Sequence, residues 1–307
     1  MTVRLDESAA GVFVIAVTPF TPERALDLPS AERMVEFYLE RGATGLTILG
    51  IMGEAPKLTQ AESVAFMRCV LGRVAGRVPV VVGVSSPGLA TMGELTRAAS
   101  DLGAAGVMVA PPATLRTDDQ LFGYMQQAAE ALGDVPLVLQ DYPLASAVQM
   151  SVGLIRRMIQ ALPSLVMLKA EDWPGLNKIA ALRASEGLRR VCILTGNGGL
   201  FLPEEMRRGA DGAMTGYAFP EMLRDVVAFC ATGERQHAAD LFDAHLPYLR
   251  YEQQPGIGLA VRKHVLAARG AIAHATLRRP APGLSAADLA DIDFLLARQA
   301  RRLAELN

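Results

Sequence analysis

Residues 78–110 read VPVVVGVSSPGLATMGELTRAASDLGAAGVMVA, and this stretch decides the fold. Val78 to Val84 and Gly106 to Ala110 are short, almost wholly apolar runs, and Thr91 to Leu102 between them is of helical length. Near-continuous apolar runs, unlike strict alternation, mark strands buried on both faces in a parallel sheet covered by helices. The same unit recurs outward in both directions. Val12 to Val17 and Gly45 to Leu49 precede it, and Leu137 to Asp141, Leu165 to Lys169, Cys192 to Leu194 and Gly212 to Thr215 follow. Helices are expected between them at Ser30 to Glu40, Gln60 to Val74, Asp118 to Leu132, Ser151 to Leu162, Gly175 to Ser185, Leu202 to Arg208 and Pro220 to Thr232. Ser30 and Thr91 are the expected N-terminal caps. Eight strand-helix units predict an α/β fold, a (β/α)8 TIM barrel over residues 1–233. No G-x-G-x-x-G follows the first strand, which speaks against an open doubly wound sheet. Gly233 breaks the pattern, and residues 234–307 read as a C-terminal three-helix extension: Glu234 to Tyr251, Ile257 to Arg269 and Ser285 to Leu306. The last carries an apolar stripe, Leu289, Ile292, Leu295, Leu296 and Leu303, suited to packing on the barrel or on a partner chain.

With 307 residues, 51% of them hydrophobic and 20% charged, the chain can bury a large core. Thirty basic against thirty-two acidic residues, with no Lys/Arg run, remove the electrostatic motive for binding nucleic acid. Charges from Arg4 to Glu7 interrupt any signal peptide, and no run of ~20 apolar residues exists to span a membrane, so a soluble cytoplasmic protein is expected. Cys69, Cys192 and Cys230 are far apart and form no C-x-x-C pair, which predicts buried reduced thiols. All four histidines lie in the last quarter of the chain. A site in the first three quarters would lack the imidazole that zinc and iron usually take, so no metal is expected there.

In a barrel of this kind reactive groups project from the carboxyl ends of the strands. Only Lys57, Lys169, Lys178 and Lys263 are lysines. Lys169 closes the apolar run Ser164-Leu-Val-Met-Leu at the end of the sixth strand, where desolvation disfavours an ammonium and supplies a nucleophilic amine. The alternative is a strand-end lysine whose head reaches solvent. Lys57 and Lys178 are expected to be solvated, and Lys263, between Arg262 and His264, reads as an ordinary helix face.

Val17-Thr-Pro-Phe20, Gly50-Ile-Met-Gly-Glu54, Asp141-Tyr-Pro143, Leu168-Lys-Ala170 and Gly209-Ala-Asp-Gly212 follow one another at the expected strand ends. In this order they resemble the dihydrodipicolinate synthase and N-acetylneuraminate lyase family. The resemblance implies a class I, metal-independent and cofactor-free lyase, an aldolase or a dehydratase, in which Lys169 forms a Schiff base with pyruvate or a substituted 2-oxo acid. It also implies a homotetramer. It places Thr18, Gly50, Ile51, Met52, Gln140, Gly196 and Met214 around the substrate.

Three departures from the family pattern bear on the reaction. The carboxylate loop is Gly50-Ile-Met-Gly-Glu54, so the family's two hydroxyls are missing and the N–H groups of Ile51 and Met52 would bind alone. Glu54 is read as tying down that loop. The shuttle tyrosine of strand five is replaced by Gln140, and an amide cannot relay a proton as a phenol does. Tyr142 and Glu171, each two residues beyond a strand-end position, are the candidates to replace it; the plainer alternatives are packing for the tyrosine and a pairing with an arginine for the acid. Tyr217 is a further candidate for the mouth. The synthase branch has paired tyrosines where this chain reads Pro111-Pro112-Ala113, and an arginine where it has Ala145. The expectation is therefore a lyase that is not a true dihydrodipicolinate synthase, with an apolar mouth at Ile51, Met52, Pro112 and Leu144. The rival reading is a catalytically idle relative that binds a 2-oxo acid as a sensor or scaffold. The Gly-rich turn Gly196-Asn-Gly-Gly199 is expected to line the substrate site.

Overall fold

A computed structural model describes residues 4–172 and 175–306. Met1 to Val3, at the start of the charged N-terminal stretch, and Asn307 lie outside the described residues, as do Trp173 and Pro174. In chain order the elements are β1 (Gly11–Ile15), α1 (Leu28–Glu40), β2 (Gly45–Ile48), α2 (Gln60–Val74), β3 (Val80–Gly83), α3 (Leu89–Asp101) and β4 (Gly106–Val109). There follow α4 (Asp118–Leu132), β5 (Leu137–Asp141), α5 (Pro143–Ser146), α6 (Val152–Ala161), β6 (Leu165–Ala170), α7 (Leu176–Arg183) and β7 (Cys192–Thr195). The chain continues with α8 (Leu202–Arg207), β8 (Gly212–Thr215), α9 (Pro220–Thr232), α10 (Arg235–Glu252), α11 (Gly258–Ala268) and α12 (Ala286–Ala304).

Each strand pairs in parallel with the next, and β8 returns to β1 through Gly11 opposite Gly212 and Phe13 opposite Met214. The result is the closed eight-stranded barrel that the apolar runs predicted. Two cores follow from the two faces of the strands. Phe13, Val81, Met108, Val138, Leu194 and Met214 fill the interior of the ring. Val14, Leu46, Val82, Val109, Leu139 and Ile193 point outward and pack under the helices. This is why the strands read as continuous apolar runs: both faces are dry.

Several boundaries shift for local reasons. Helix α1 starts at Leu28, with Asp27 as its cap accepting from the Ser30 N–H, because Pro29 is suited to a first turn and lacks the donor that Ser30 supplies. Helix α3 begins after Gly88, which leaves Thr91 inside the first turn. Strands β1, β3 and β4 end earlier than their apolar runs, although Ala16 still donates to Thr47 O and Val84 to Met108 O. Of the three cysteines, Cys192 is buried while Cys69 and Cys230 are only partly so. Helix α10 packs on α9 and on α12, and Ile292 of α12 is fully buried there. No helix among the described residues is long and apolar enough to cross a membrane.

Candidate active site

At the carboxyl ends of the strands a cleft of about 380 Å³, counting its open mouth, brings together Lys169, Glu171, Gln140, Tyr142, Ile51 and Met52. Two larger hollows, one between α2 and β3 and one along α1, lie away from the strand ends and contain none of these groups. Register explains the meeting of Gln140 and Lys169: they are direct partners across β5 and β6, with Leu194 opposite Lys169 on β7. Met167 and Lys169 share the inward face of β6, whereas Leu168 and Ala170 join the outer core.

Lys169 is 5% exposed, and its ammonium lies 2.8 Å from Glu171 Oε2. Gln140 Nε2 donates to the same oxygen at 2.7 Å. The Asn197 N–H reaches Glu171 Oε1 at 3.5 Å, and Asn197 Nδ2 donates to the Glu171 carbonyl at 3.1 Å. Gly196 permits this: a Cβ there would collide with the Glu171 carboxylate. Glu171 is thus no surface acid paired with an arginine; its partners are the strand-six lysine and the strand-five amide. Tyr142 is half-buried on the wall of the cleft. Burial, reinforced by the negative charge of Glu171, raises its phenol above the usual tyrosine range, so it stays protonated at neutral pH.

Ile51 to Gly53 form a single 3-10 turn capped by Gly50 and closed by the N–H groups of Gly53, Glu54 and Ala55. Among the described residues no acceptor meets the N–H groups of Ile51 and Met52. Thr18 lies beneath this turn and donates to Gly53 O at 2.5 Å, so it supports the loop and does not line the cleft. Met214 is likewise displaced from the expected site: it is fully buried in the barrel core below the cleft. Glu54 holds the loop from behind through Lys263 at 2.6 Å, Lys57 at 3.0 Å and the Arg278 N–H at 3.0 Å.

Three lysine expectations need correction. Lys263 is not on a helix surface but fully buried, donating to Thr18 O, Glu54 and Thr276 O. Lys178 is largely buried and bridges Asp141 at 2.6 Å and Asp172 at 2.7 Å, because β5 turns Asp141 outward toward α7. The burial of Asp141 itself raises its carboxyl to about 6 in spite of Lys178. Lys57 is held by Glu54 and the Arg278 carbonyl, not by solvent. Tyr217 does not line the mouth: it is buried against α10, with its hydroxyl 3.0 Å from His245 Nδ1. At the exposed rim, Ile51 and Leu144 are large apolar side chains open to solvent.

Arg262 and Gln253 also line the cleft, and sequence reasoning missed both. They come from α11 and from the residue after α10, and nothing in their local sequence signals the distant barrel mouth. Asn197 could have been found, since it sits in the Gly-rich turn already singled out.

Residues 8–297 match the Dihydrodipicolinate synthetase family. The chain is 31% identical over 278 residues, 89% of each protein, to an L-2-keto-3-deoxyarabonate dehydratase of Azospirillum brasilense. It is 32% identical over 295 residues, 94% of each, to a 4-hydroxy-tetrahydrodipicolinate synthase of Xanthomonas campestris. A crystal structure of a dihydrodipicolinate synthase from Rhodopseudomonas palustris superposes with a TM-score of 0.94 at 51% identity, covering 96% of this chain and 99% of the other. By its barrel, its strand-end motifs and these matches, the chain belongs to the dihydrodipicolinate synthetase family.

Proposed function

We propose that the protein dehydrates a 2-oxo acid bearing a hydroxyl on C4, through an imine at Lys169. The observation that carries this reading is the buried Lys169 ammonium 2.8 Å from Glu171, at the open end of the barrel. A Schiff-base-forming lyase acting on a 2-oxo acid is the function that the family, the fold and this pair support together. The idle-sensor alternative finds no favouring feature in a cleft where amine, carboxylate and phenol converge.

Glu171 takes a proton from Lys169, and the freed amine attacks the ketone carbon. The proton returns to the carbinolamine oxygen, which leaves as water, and an iminium joins Nζ to C2. That electron sink acidifies C3, whose proton passes to Glu171, giving an enamine. The enamine electrons expel the C4 hydroxyl, which leaves as water with a proton from Tyr142; Tyr142 recovers a proton from Glu171 through solvent. Hydrolysis of the conjugated iminium releases the unsaturated 2-oxo acid and restores Lys169. Gln140 moves no proton in this scheme and holds Glu171 in place.

Two observations favour dehydration over aldol cleavage. Cleavage needs a base for the C4 hydroxyl proton, whereas dehydration needs an acid for the leaving oxygen; the Tyr142 phenol on that wall has a proton to give, and the cleft's one carboxylate, Glu171, is engaged by Lys169 and Gln140. A relative alike over 89% of its length is a dehydratase of a 2-keto-3-deoxy acid. The synthase reaction is disfavoured by Ala145 and by Pro111-Pro112-Ala113, where the synthase branch keeps its arginine and tyrosines. Three free thiols suit a reducing cytoplasm, and exposed Phe294 on α12 suits packing in a homotetramer.

Borohydride reduction in the presence of pyruvate should add a stable adduct at Lys169, read by peptide mass mapping. An unmodified Lys169 would end this reading. With 3-deoxy-4-hydroxy-2-oxo acids as substrates, turnover should release no pyruvate; its appearance in a lactate dehydrogenase coupled assay would replace dehydration with aldol cleavage.

A further inference from the structure

Arg262 is 2% exposed, yet it belongs to the wall of the cleft. Its Nε donates to Glu252 Oε1 at 2.6 Å. Glu252 Oε2 in turn accepts from the Ala218 N–H at 3.1 Å and from the Tyr248 hydroxyl at 3.0 Å, so the carboxylate is fixed and fixes the guanidinium. The other end of the fork is different. Arg262 Nη1 is buried and meets no acceptor among the described residues. Gln253 Nε2, on the same wall, is buried and unmet as well. Two glycines make room for this pair: a Cβ on Gly216 would strike Arg262 Nη1, and one on Gly198 would strike the Gln253 amide.

Buried donors without acceptors are unfavourable, and two of them on residues that line one cleft indicate a place kept for an oxygen-rich ligand group. Its charge follows from the lining. The cleft has two cations, Lys169 and Arg262, and one acid, Glu171. Lys169 is paired with Glu171 and is consumed by the imine. Arg262 is held by Glu252 through Nε alone, so its Nη1 remains as a charged donor without an acceptor. A 2-oxo acid brings one obligatory anion, the carboxylate one bond from the carbon that Lys169 attacks. The Ile51-Met52 turn offers only N–H dipoles to that anion, without the hydroxyls or a charge. We propose that Arg262 Nη1 and Gln253 Nε2 form a subsite for the 1-carboxylate of the substrate, acting with the N–H groups of Ile51 and Met52. This rests on the imine reading of Lys169. The subsite makes the enzyme select acids over neutral ketones, and it turns the C2 carbonyl toward Nζ.

The test compares pyruvate with methyl pyruvate, its neutral ester, as ketones trapped on Lys169 by borohydride. Wild-type protein should reach half-labelling at about 10–100-fold lower pyruvate than methyl pyruvate, the range of one charge-assisted hydrogen bond. In the double variant Arg262→Gln/Glu252→Gln, which removes both charges of the buried pair together, the two ketones should label within about 3-fold of one another. A preference for pyruvate that survives in the folded double variant overturns the proposal. Should that variant fail to fold, by circular dichroism, Gln253→Leu decides: the preference should narrow by about 3–10-fold, and an unchanged ratio overturns the subsite. If the variants lose affinity only for 2-oxoglutarate and not for pyruvate, the subsite serves a distal carboxylate and the 1-carboxylate assignment is wrong. No adduct from either ketone in wild-type protein would refute the imine reading, and the subsite with it.

Discussion

Two lysines in this barrel are almost wholly buried, and each is paired with a glutamate. Lys169 meets Glu171 at 2.8 Å, and Lys263 meets Glu54 at 2.6 Å. Burial and pairing therefore do not make a nucleophile. The difference lies in what else surrounds the nitrogen. Lys263 gives its three hydrogens to Thr18 O, Glu54 and Thr276 O and lies 4.5 Å from the centre of the Phe20 ring. It is enclosed, and it binds α11 to the back of the Ile51-Met52 loop. Lys169 has one charged partner and a cleft in front of it. One ammonium is enclosed as a tie, and the other faces an open cleft.

Deleting each amine should separate the two roles. Lys169→Ala should lower turnover by about 10⁴-fold or more, since no other group supplies the electron sink. Its denaturation midpoint should fall by less than that of a Lys263 variant, because the Glu171 carboxylate left behind borders the open cleft and keeps the Gln140 amide and the Asn197 N–H as donors. A variant that loses activity by unfolding would break the contrast. Lys263→Met should do the reverse. Removing one member of a buried pair costs about 3–5 kcal/mol, read by urea denaturation, while pyruvate still labels Lys169. A stability loss below about 1 kcal/mol would mean that Lys57 and the Arg278 N–H hold Glu54 unaided.

Glu171→Gln sharpens the comparison from the carboxylate side. It should lower kcat by about 10²-fold, a usual contribution of general acid–base catalysis, while borohydride still traps the imine slowly. Equal losses of trapping and turnover would confine Glu171 to activating Lys169. A pH–rate profile that keeps its acidic limb in this variant would assign the proton transfers to Tyr142 instead.

The fold and Lys169 were legible because both depend on local pattern. Dry strands write themselves as apolar runs, and a lysine ending such a run is conspicuous. Glu171 was legible by parity alone, two residues beyond Lys169, although its partners were not. What stayed hidden depends on contacts distant in sequence. Lys263 and Arg262 stand in a helix beside His264 and look like a solvated face. Their environments are made by Thr18 and Glu54, more than 200 residues earlier, and by Gly216 on the rim of the barrel. Tyr217 follows a strand as a site residue would, but α10 covers it and presents His245 to its hydroxyl. Tertiary packing of the C-terminal helices decides these positions, and a reading strand by strand cannot reach it.

The smallest expected effect tests ionisation against access. Burial lowers the Lys263 ammonium to about 8, with Glu54 opposing the shift only in part. An unfolded lysine keeps its proton to about pH 10.4. Between these limits the unfolded chain binds more protons than the folded one, so the contribution of Lys263 to stability rises with pH. Below about pH 8 both states hold the proton and the contribution is level. The difference in unfolding free energy between wild type and Lys263→Met should accordingly grow from pH 8 to 10.4, by no more than about 1.4 kcal/mol per pH unit. A difference that shrinks over this range would mean that Glu54 outweighs burial. At pH 9.5 Lys263 then presents a largely neutral amine, chemically competent to attack a ketone. It should still take no pyruvate adduct under borohydride, because its enclosure admits no ligand. Labelling at Lys263 under these conditions would show that its enclosure does not exclude ketones, and that the open cleft before Lys169 was not the deciding feature.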